Sequence, residues 1–169
     1  MYQFDGKSAI AKALAGQRKE FLTQMHALRK TAKHLCGMKK KVHSKGDTRF
    51  DDTFFIFDDR YHGWVRKEFD TVTRSQKNEF FYFWLDGKFC RYWREDSVFG
   101  QMSPMQEVYT IMTDKDAPVQ EIRVSVSGEN IVRIKEEDKE FYRKLTLQRK
   151  ATLGAFASLE KTKDDDLFL

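Results

Sequence analysis

Two segments rich in large apolar side chains, joined by Asp86-Gly87, constrain the fold of this chain more than any other feature. The segments run from Glu79 to Leu85 and from Lys88 to Arg94, and their residue types are typical of β-strands. Asp-Gly is preferred in two-residue type I′ turns because both central residues of such a turn need a positive φ. The sequence therefore predicts a tight antiparallel hairpin in the middle of the chain.

Period-two patterns continue on both sides of this hairpin, and helical patterns flank them. The further predicted strands are residues 53–57, 64–69, 109–112, 119–126 and 131–135. Apolar residues at three- and four-residue spacing predict helices over residues 8–36, ended by Gly37, and from about 137 to 159. The predicted fold class is α+β: a long N-terminal helix, an antiparallel sheet of five to seven strands built from hairpins, a C-terminal helix and a short flexible acidic tail.

The length of 169 residues suits one domain with a hydrophobic core. We predict a single domain over residues 1–160, made of a basic helix and loop (1–49), the sheet (50–136) and a helix (137–160), followed by an acidic-apolar tail (161–169). The longest apolar stretch, Phe80 to Leu85, is far shorter than the roughly 20 residues of a membrane span. The N-terminus lacks a signal-peptide core, so we expect a cytoplasmic protein with no membrane contact.

Positive charge is concentrated in the first 49 residues, which carry a net charge of +9, whereas residues 50–169 carry −4. The densest part joins the end of the first helix to a predicted loop at residues 38–46. Such a cluster creates a potential that attracts phosphates. A solvated helix face and loop is the alternative interpretation. The candidate phosphate-binding residues are Arg29, Lys30, Lys33, Lys39, Lys40, Lys41, Lys45 and Arg49.

The register of the central hairpin places Tyr82, Trp84, Arg91 and Trp93 on one side of the sheet. Aromatic rings and arginine planes can stack on any unpaired base, so these four residues are candidates for contacting a single strand. A central strand covered on both sides would show the same pattern. Arg91 favours the exposed alternative, because a buried arginine needs a carboxylate and its neighbours in the row supply none.

The last six residues combine acids with an apolar end: Asp164, Asp165, Asp166, Leu167, Phe168 and Leu169. This tip resembles the C-terminal tails of bacterial and phage single-stranded DNA-binding proteins. The resemblance implies that the tip recruits a protein partner, and that the chain works in a bacterium or a phage-infected host cell. Tips of this composition also resemble the short peptides that bind sliding clamps, and a solubilising tail is a further alternative.

These features together predict a non-catalytic nucleic-acid-binding protein, with single-stranded DNA or RNA as the expected ligand and duplex binding still open. We expect no cofactor, no metal and no small-molecule substrate, since the four histidines lack the spacing of a zinc site and no catalytic motif is present. One alternative is a phage-type regulator that binds RNA polymerase or a sliding clamp without touching nucleic acid. A second is a metal-dependent nuclease that uses Asp58, Asp59, Asp86 and Lys88.

Overall fold

The computed structural model describes residues 6–31, 36–95, 105–112, 119–127 and 130–166. Within these ranges, the side chains are described except at residues 6–15, 31, 112, 119, 127, 130, 132 and 163–166. In this part of the chain, neither helix has the length and apolar character that crossing a membrane requires.

Two helices and eight strands make up the described part of the chain. The helices are α1 (Gly6–Thr31) and α2 (Lys139–Asp166), with a short 3₁₀ turn at Glu136–Asp138. The strands are β1 (Gly37–Lys45), β2 (Thr48–Ile56), β3 (His62–Asp70), β4 (Gln76–Leu85), β5 (Lys88–Glu95), β6 (Met105–Met112), β7 (Val119–Ser127) and β8 (Asn130–Arg133). They lie side by side in chain order, each antiparallel to the next, so the sheet is a single meander.

Each helix covers one face of the sheet, because successive side chains of a strand point to opposite faces. On one face, α1 packs Phe21, Met25 and Leu28 against rings of the central strands. On the other face, α2 packs Tyr142 and Leu145 against a second set. The rings under α1 are Phe54, Trp64, Tyr82 and Phe89, and those under α2 include Phe55, Phe81, Phe83 and Tyr109. Burial on both faces explains why the middle strands carry aromatic side chains on both faces.

The central hairpin has the predicted turn and register. Asp86 and Gly87 both adopt a positive φ, 50° and 77°, as a type I′ turn requires. Tyr82 lies opposite Arg91, and Trp84 lies opposite Phe89. The turn conformation and the strand register of this hairpin therefore match those predicted from the sequence.

The predicted fold class, however, is wrong. The sheet has eight strands instead of five to seven, because the basic segment predicted as a loop forms β1. The described helix α1 ends at Thr31, and Gly37, which was predicted to end that helix, is the first residue of β1. Helix α2 continues to Asp166, past residue 160, so the predicted flexible tail begins within a helix.

Strand β1 was missed because it is an edge strand with little apolar surface. Along its nine residues none is fully buried, so its sequence lacks the alternation of a half-buried strand. Its register is instead imposed by pairing with β2 along its whole length, from Gly37 opposite Ile56 to Lys45 opposite Thr48. Lysines are frequent on such edges because they discourage pairing with other chains.

A close backbone approach at Gly63 generates the first prediction. A Cβ atom at this position of β3 would lie 2.6 Å from the carbonyl oxygen of Tyr82 and 2.9 Å from Cζ of Phe55. Gly63→Ala is therefore expected to lower the free energy of unfolding by about 1–3 kcal/mol, since neither neighbour can move freely in the packed core. Urea denaturation measures the change.

Gly154→Ala is the matched control, because it makes the same substitution in α2 where nothing lies within 4 Å of the added methyl group. This variant should be stabilised by about 0.5–1 kcal/mol through the higher helix propensity of alanine. Equal effects of the two substitutions would show that crowding at Gly63 is not the cause.

Candidate nucleic-acid interface

Exposed cations lie along the β1 edge of the sheet and at the adjacent end of α1. Three exposed lysines belong to β1: Lys39, Lys40 and Lys45. Lys39 and Lys45 lie on the face of the sheet that α1 covers, and Lys40 lies on the face that α2 covers. Arg29 and Lys30 occupy the last turn of α1 and are exposed as well. We call these five residues the basic edge. Among the described residues, only Arg29 of the five has an ion-pair partner, Asp59 at 3.8 Å.

Two further predicted phosphate-binding residues, Lys41 and Arg49, are engaged with acids. The Lys41 Nζ donates to Glu20 Oε1 of α1 at 2.7 Å. The guanidinium of Arg49 contacts Asp51 at 3.1 Å and lies over the ring of Phe69. Lys33 falls outside the described residues. The sequence-based set is therefore divided, with its unpaired members gathered at the sheet edge.

A buried polar network, which sequence reasoning missed, supports this edge from beneath. The Asp52 carboxylate is 1% exposed and accepts two hydrogen bonds from Arg66, Nε to Oδ1 at 2.8 Å and Nη2 to Oδ2 at 3.0 Å. His43 Nε2 of β1 lies 2.7 Å from the same Oδ2. The Arg66 guanidinium also lies over the rings of Phe50 and Trp64, at 4.7 and 4.4 Å from their centroids.

The network keeps its acid and its arginine charged. Burial raises the pKa of the Asp52 carboxyl. The hydrogen bonds and charge of Arg66, together with the bond to His43, lower that pKa by a larger amount, so the net shift is downward. For Arg66, burial lowers the pKa, and the bonds and charge of Asp52 raise it above its ordinary value. The alternation of Phe50, Asp52 and Phe54 could have revealed an acid at an inward-facing strand position.

Three potential ligands, Glu20, His43 and Asp52, lie within 4.8 Å of one another. Both carboxylates already have a cation, since Lys41 contacts Glu20 and Arg66 contacts Asp52. A divalent ion would have to displace these cations, so the geometry favours a charge-balanced network over a metal centre.

The four residues predicted to stack on bases are covered to different extents. Tyr82 is 1% exposed, and its ring stacks on Trp64 with centroids 4.3 Å apart beneath α1. Arg91 and Trp93 are half-buried. The Arg91 Nη2 donates to Thr110 Oγ1 at 3.4 Å, so the partner of this arginine is a hydroxyl group instead of a carboxylate. Tyr82 is therefore not available for stacking on a base, because α1 lies across this part of the face, which the strand pattern does not show.

Trp84 differs from Tyr82 because it lies near the end of the sheet. It is half-buried, with its ring centroid 6.3 Å from that of Phe21 and 5.5 Å from that of Phe89. It also lines a cavity of about 290 Å³ between α1 and the sheet, together with Arg29 of the basic edge. Trp84 therefore shares this cavity with a cation of the basic edge.

The residues of the nuclease alternative are occupied by local structure. Asp58 Oδ1 accepts hydrogen bonds from the backbone N–H groups of Arg60 and Tyr61, which closes the turn between β2 and β3. Asp59 pairs with Arg29. Asp86 forms the hairpin turn, and the Lys88 Nζ lies over the ring of Phe141. These contacts give each residue a role that does not involve a metal ion.

The acidic tip is described only in part. Asp164, Asp165 and Asp166 are the last residues of α2, and their side chains are outside the description. Leu167, Phe168 and Leu169 lie outside the described residues. Recruitment of a protein partner by the tip therefore stays a prediction.

A larger cavity, of about 690 Å³, lies between α2 and strands β3 to β5. Its apolar lining includes Val65, Phe81 and Leu153. Its charged lining has both signs, with Lys77 and Arg94 beside Glu79 and Glu95. Such a mixed lining gives no net attraction for a polyanion, so the cavity does not contribute to the candidate interface.

Asp52→Asn tests the buried network. It leaves the charge of Arg66 buried without its partner, so we expect a loss of about 3–5 kcal/mol in the free energy of unfolding at neutral pH. In the wild type, the carboxyl has a lower pKa in the folded chain than in the unfolded chain. Its stabilising contribution is therefore complete above a pH of about 4 and is lost as the pH falls through the folded-state value.

Denaturation curves at pH 7 and pH 3 measure both effects, and the difference between wild type and Asp52→Asn should narrow at pH 3. Asp51→Asn is the control, because that carboxylate is partly exposed, pairs with Arg49 at the surface and should contribute less than about 1 kcal/mol. A variant as stable as the wild type at pH 7 would contradict this role of Asp52.

Comparison with known proteins gives no identification. No known protein family, no curated protein and no solved structure matches the chain. Its function is therefore inferred from the charge, burial and geometry of its own residues.

Proposed function

We propose that this chain binds nucleic acid through the phosphate backbone, using the basic edge. The observation that carries the proposal is the position of Lys39, Lys40 and Lys45, exposed on the edge strand without an ion-pair partner among the described residues. Cations held in this way attract polyanions and release the counterions that a nucleic acid carries.

The shape of the edge favours an extended ligand. A β-strand advances about 3.3 Å per residue, so Lys39 and Lys45 lie about 20 Å apart along β1. Single-stranded DNA or RNA is flexible enough to follow a strand edge of this length. Lysines act as point charges and read no base, so the binding would have little sequence preference.

The same lysines can also be interpreted as edge protection, which keeps a strand from pairing with other chains. That role predicts that β1 does not pair with strands of other chains, and it predicts no affinity for nucleic acid. The regulator alternative could use either the aromatic sheet or the acidic tip to bind its partner. Burial of aromatic side chains of the central strands under α1 and α2 weighs against the sheet. Binding measurements therefore separate the proposal from both alternatives.

Wild-type affinity should fall steeply with salt. On a single strand, the slope of log affinity against log salt is about −0.7 for each phosphate neutralised, so five cations of the basic edge predict a slope of about −3.5. Fluorescence anisotropy with labelled single-stranded DNA, duplex DNA and RNA at two or more salt concentrations measures it. A slope near zero would remove the proposal.

A triple variant locates the interaction. Lys39→Gln, Lys40→Gln and Lys45→Gln together should weaken binding and reduce the size of the slope by about two, because three phosphate contacts are lost. The matched control replaces Lys144, Lys150 and Lys161, which are exposed on α2, and removes the same three charges. Equal losses in the two triple variants would mean that net charge, and not the basic edge, determines the affinity.

Removal of residues 164–169 distinguishes the tip from the interface. Because the deletion removes three acids, affinity for single-stranded DNA should stay the same or rise. The same titration measures it. Loss of binding on deletion would place the nucleic-acid contact at the tip, whereas no affinity in either form would favour the regulator alternative.

A further inference from the structure

A small cleft opens beside the basic edge, at the end of the sheet near the turn between β2 and β3. It lies between α1 and the strand ends and has a volume of about 290 Å³. Its lining includes Phe21, Leu22, Arg29, His62 and Trp84. We propose that this aromatic cleft receives one unpaired base of a nucleic-acid strand. This inference rests on the proposed function. The inference adds a base contact to an interface otherwise built from phosphate contacts.

The rings of Phe21, His62 and Trp84 line the cleft, together with the imidazole of His26. The ring of Phe21 lies 6.3 Å from that of Trp84 at an interplanar angle of 48°, and 6.2 Å from that of His62 at 27°. Ligand pockets for larger molecules commonly measure about 300–1,000 Å³, so this volume suits a single flat heterocycle. Aromatic walls stack on any base without reading its sequence.

The indole of Trp84 supplies an unsatisfied polar group. Its Nε1–H is buried and has no hydrogen-bond partner among the described residues. An indole N–H only donates, and a buried donor without an acceptor is unfavourable. The Nε1 atoms of Trp64 and Trp93 also lack a partner among the described residues, but neither residue lines this cleft. Because the Trp84 Nε1 is closed to water, the acceptors of a nucleobase edge would meet it only if the indole ring turned toward the cleft.

Arg29 connects the cleft to the basic edge. Its side chain is 48% exposed, and its contact with Asp59 is long, 3.8 Å, and involves an acid that is 76% exposed. Such a surface pair is weak and can exchange for a phosphate. A base in the cleft would thus leave its own phosphate within reach of a cation. Leu22, which is 48% exposed, also lines the cleft and shows that its mouth reaches solvent.

A second cavity, of about 450 Å³, shares the rings of His62 and Trp84 with the aromatic cleft. It lies on the side of the hairpin turn and includes Arg60, whose guanidinium is 5.1 Å from the ring of Tyr61. Asp59 and Asp86 line this second cavity beside Arg60, so it adds no net attraction for a phosphate to that of Arg29. The plain alternative is that both cavities are space left between bulky rings.

The indole N–H signals in a ¹⁵N–¹H correlation spectrum test the proposal directly. The chain has three tryptophans, so it gives three indole signals, and Trp84→Phe assigns that of Trp84 by its loss. The titrant is a thymidine oligonucleotide, compared with an abasic deoxyribose-phosphate oligomer of the same length. We expect the Trp84 signal to shift with the first and not with the second, because only the first has bases to insert.

Affinities give a second measurement. The base-bearing oligomer should bind about tenfold more tightly than the abasic one, a ratio that corresponds to one stacked base. Trp84→Leu should remove this ratio and leave the salt-dependent binding of both oligomers. Phe57→Ala is the control, because it removes a partly exposed ring outside the cleft and should preserve the ratio.

The outcomes separate the two proposals. Equal binding of both oligomers with no shift of Trp84 overturns the base contact and leaves phosphate binding in place. A shift of Trp93 in place of Trp84 also overturns it, since the base then lies elsewhere. Failure of both oligomers to bind overturns the proposed function and this inference together. The titration itself is recorded on the wild type, and Trp84→Phe is needed only to assign the signal.

Discussion

The buried carboxylate of Asp52 holds in place the part of the molecule that displays the basic edge. It joins three neighbouring strands, through His43 of β1, its own β2 and Arg66 of β3. Strand β1 has almost no apolar side chains to bury, so its attachment depends on backbone pairing with β2 and on polar contacts like these. Positive charge at an exposed edge is thus coupled to a buried, charged network beneath it.

Coverage of both sheet faces determines which aromatic side chains remain accessible. Helix α1 lies over the middle of one face, where Phe21 packs between the rings of Trp64 and Phe89, and α2 covers the other. Rings in the centre of the sheet therefore stabilise the core. Trp84, two residues before the Asp86-Gly87 turn, lies near the end of the sheet beside the aromatic cleft and Arg29. A base contact is consequently possible at the margin of the sheet and not across its face.

Features that depend on residues close together in the chain could be predicted from the sequence, and features that depend on distant residues could not. The hairpin at Asp86-Gly87 was predictable because its turn and register depend on adjacent residues. Strand β1 was not, because a lysine-rich edge strand has no periodic signal and takes its register from β2. The buried pair of Asp52 and Arg66 could have been suspected from an acid between two phenylalanines, but its partner is fourteen residues away in the chain. The acidic residues 164–166 looked unstructured, yet they extend a helix that the preceding turns had already begun.

The amino-acid sequence by itself determined the strand-rich middle, the tight turn and the concentration of positive charge in the first 49 residues, because each follows from local composition and spacing. Tertiary structure alone decided that α1 lies across the central hairpin, burying Tyr82 and leaving Trp84 at a cleft. It also decided which cations are neutralised, since Lys41 meets Glu20 while Lys39 and Lys40 meet no acid among the described residues. Both outcomes depend on contacts between segments far apart in the chain, and no local pattern encodes such distances.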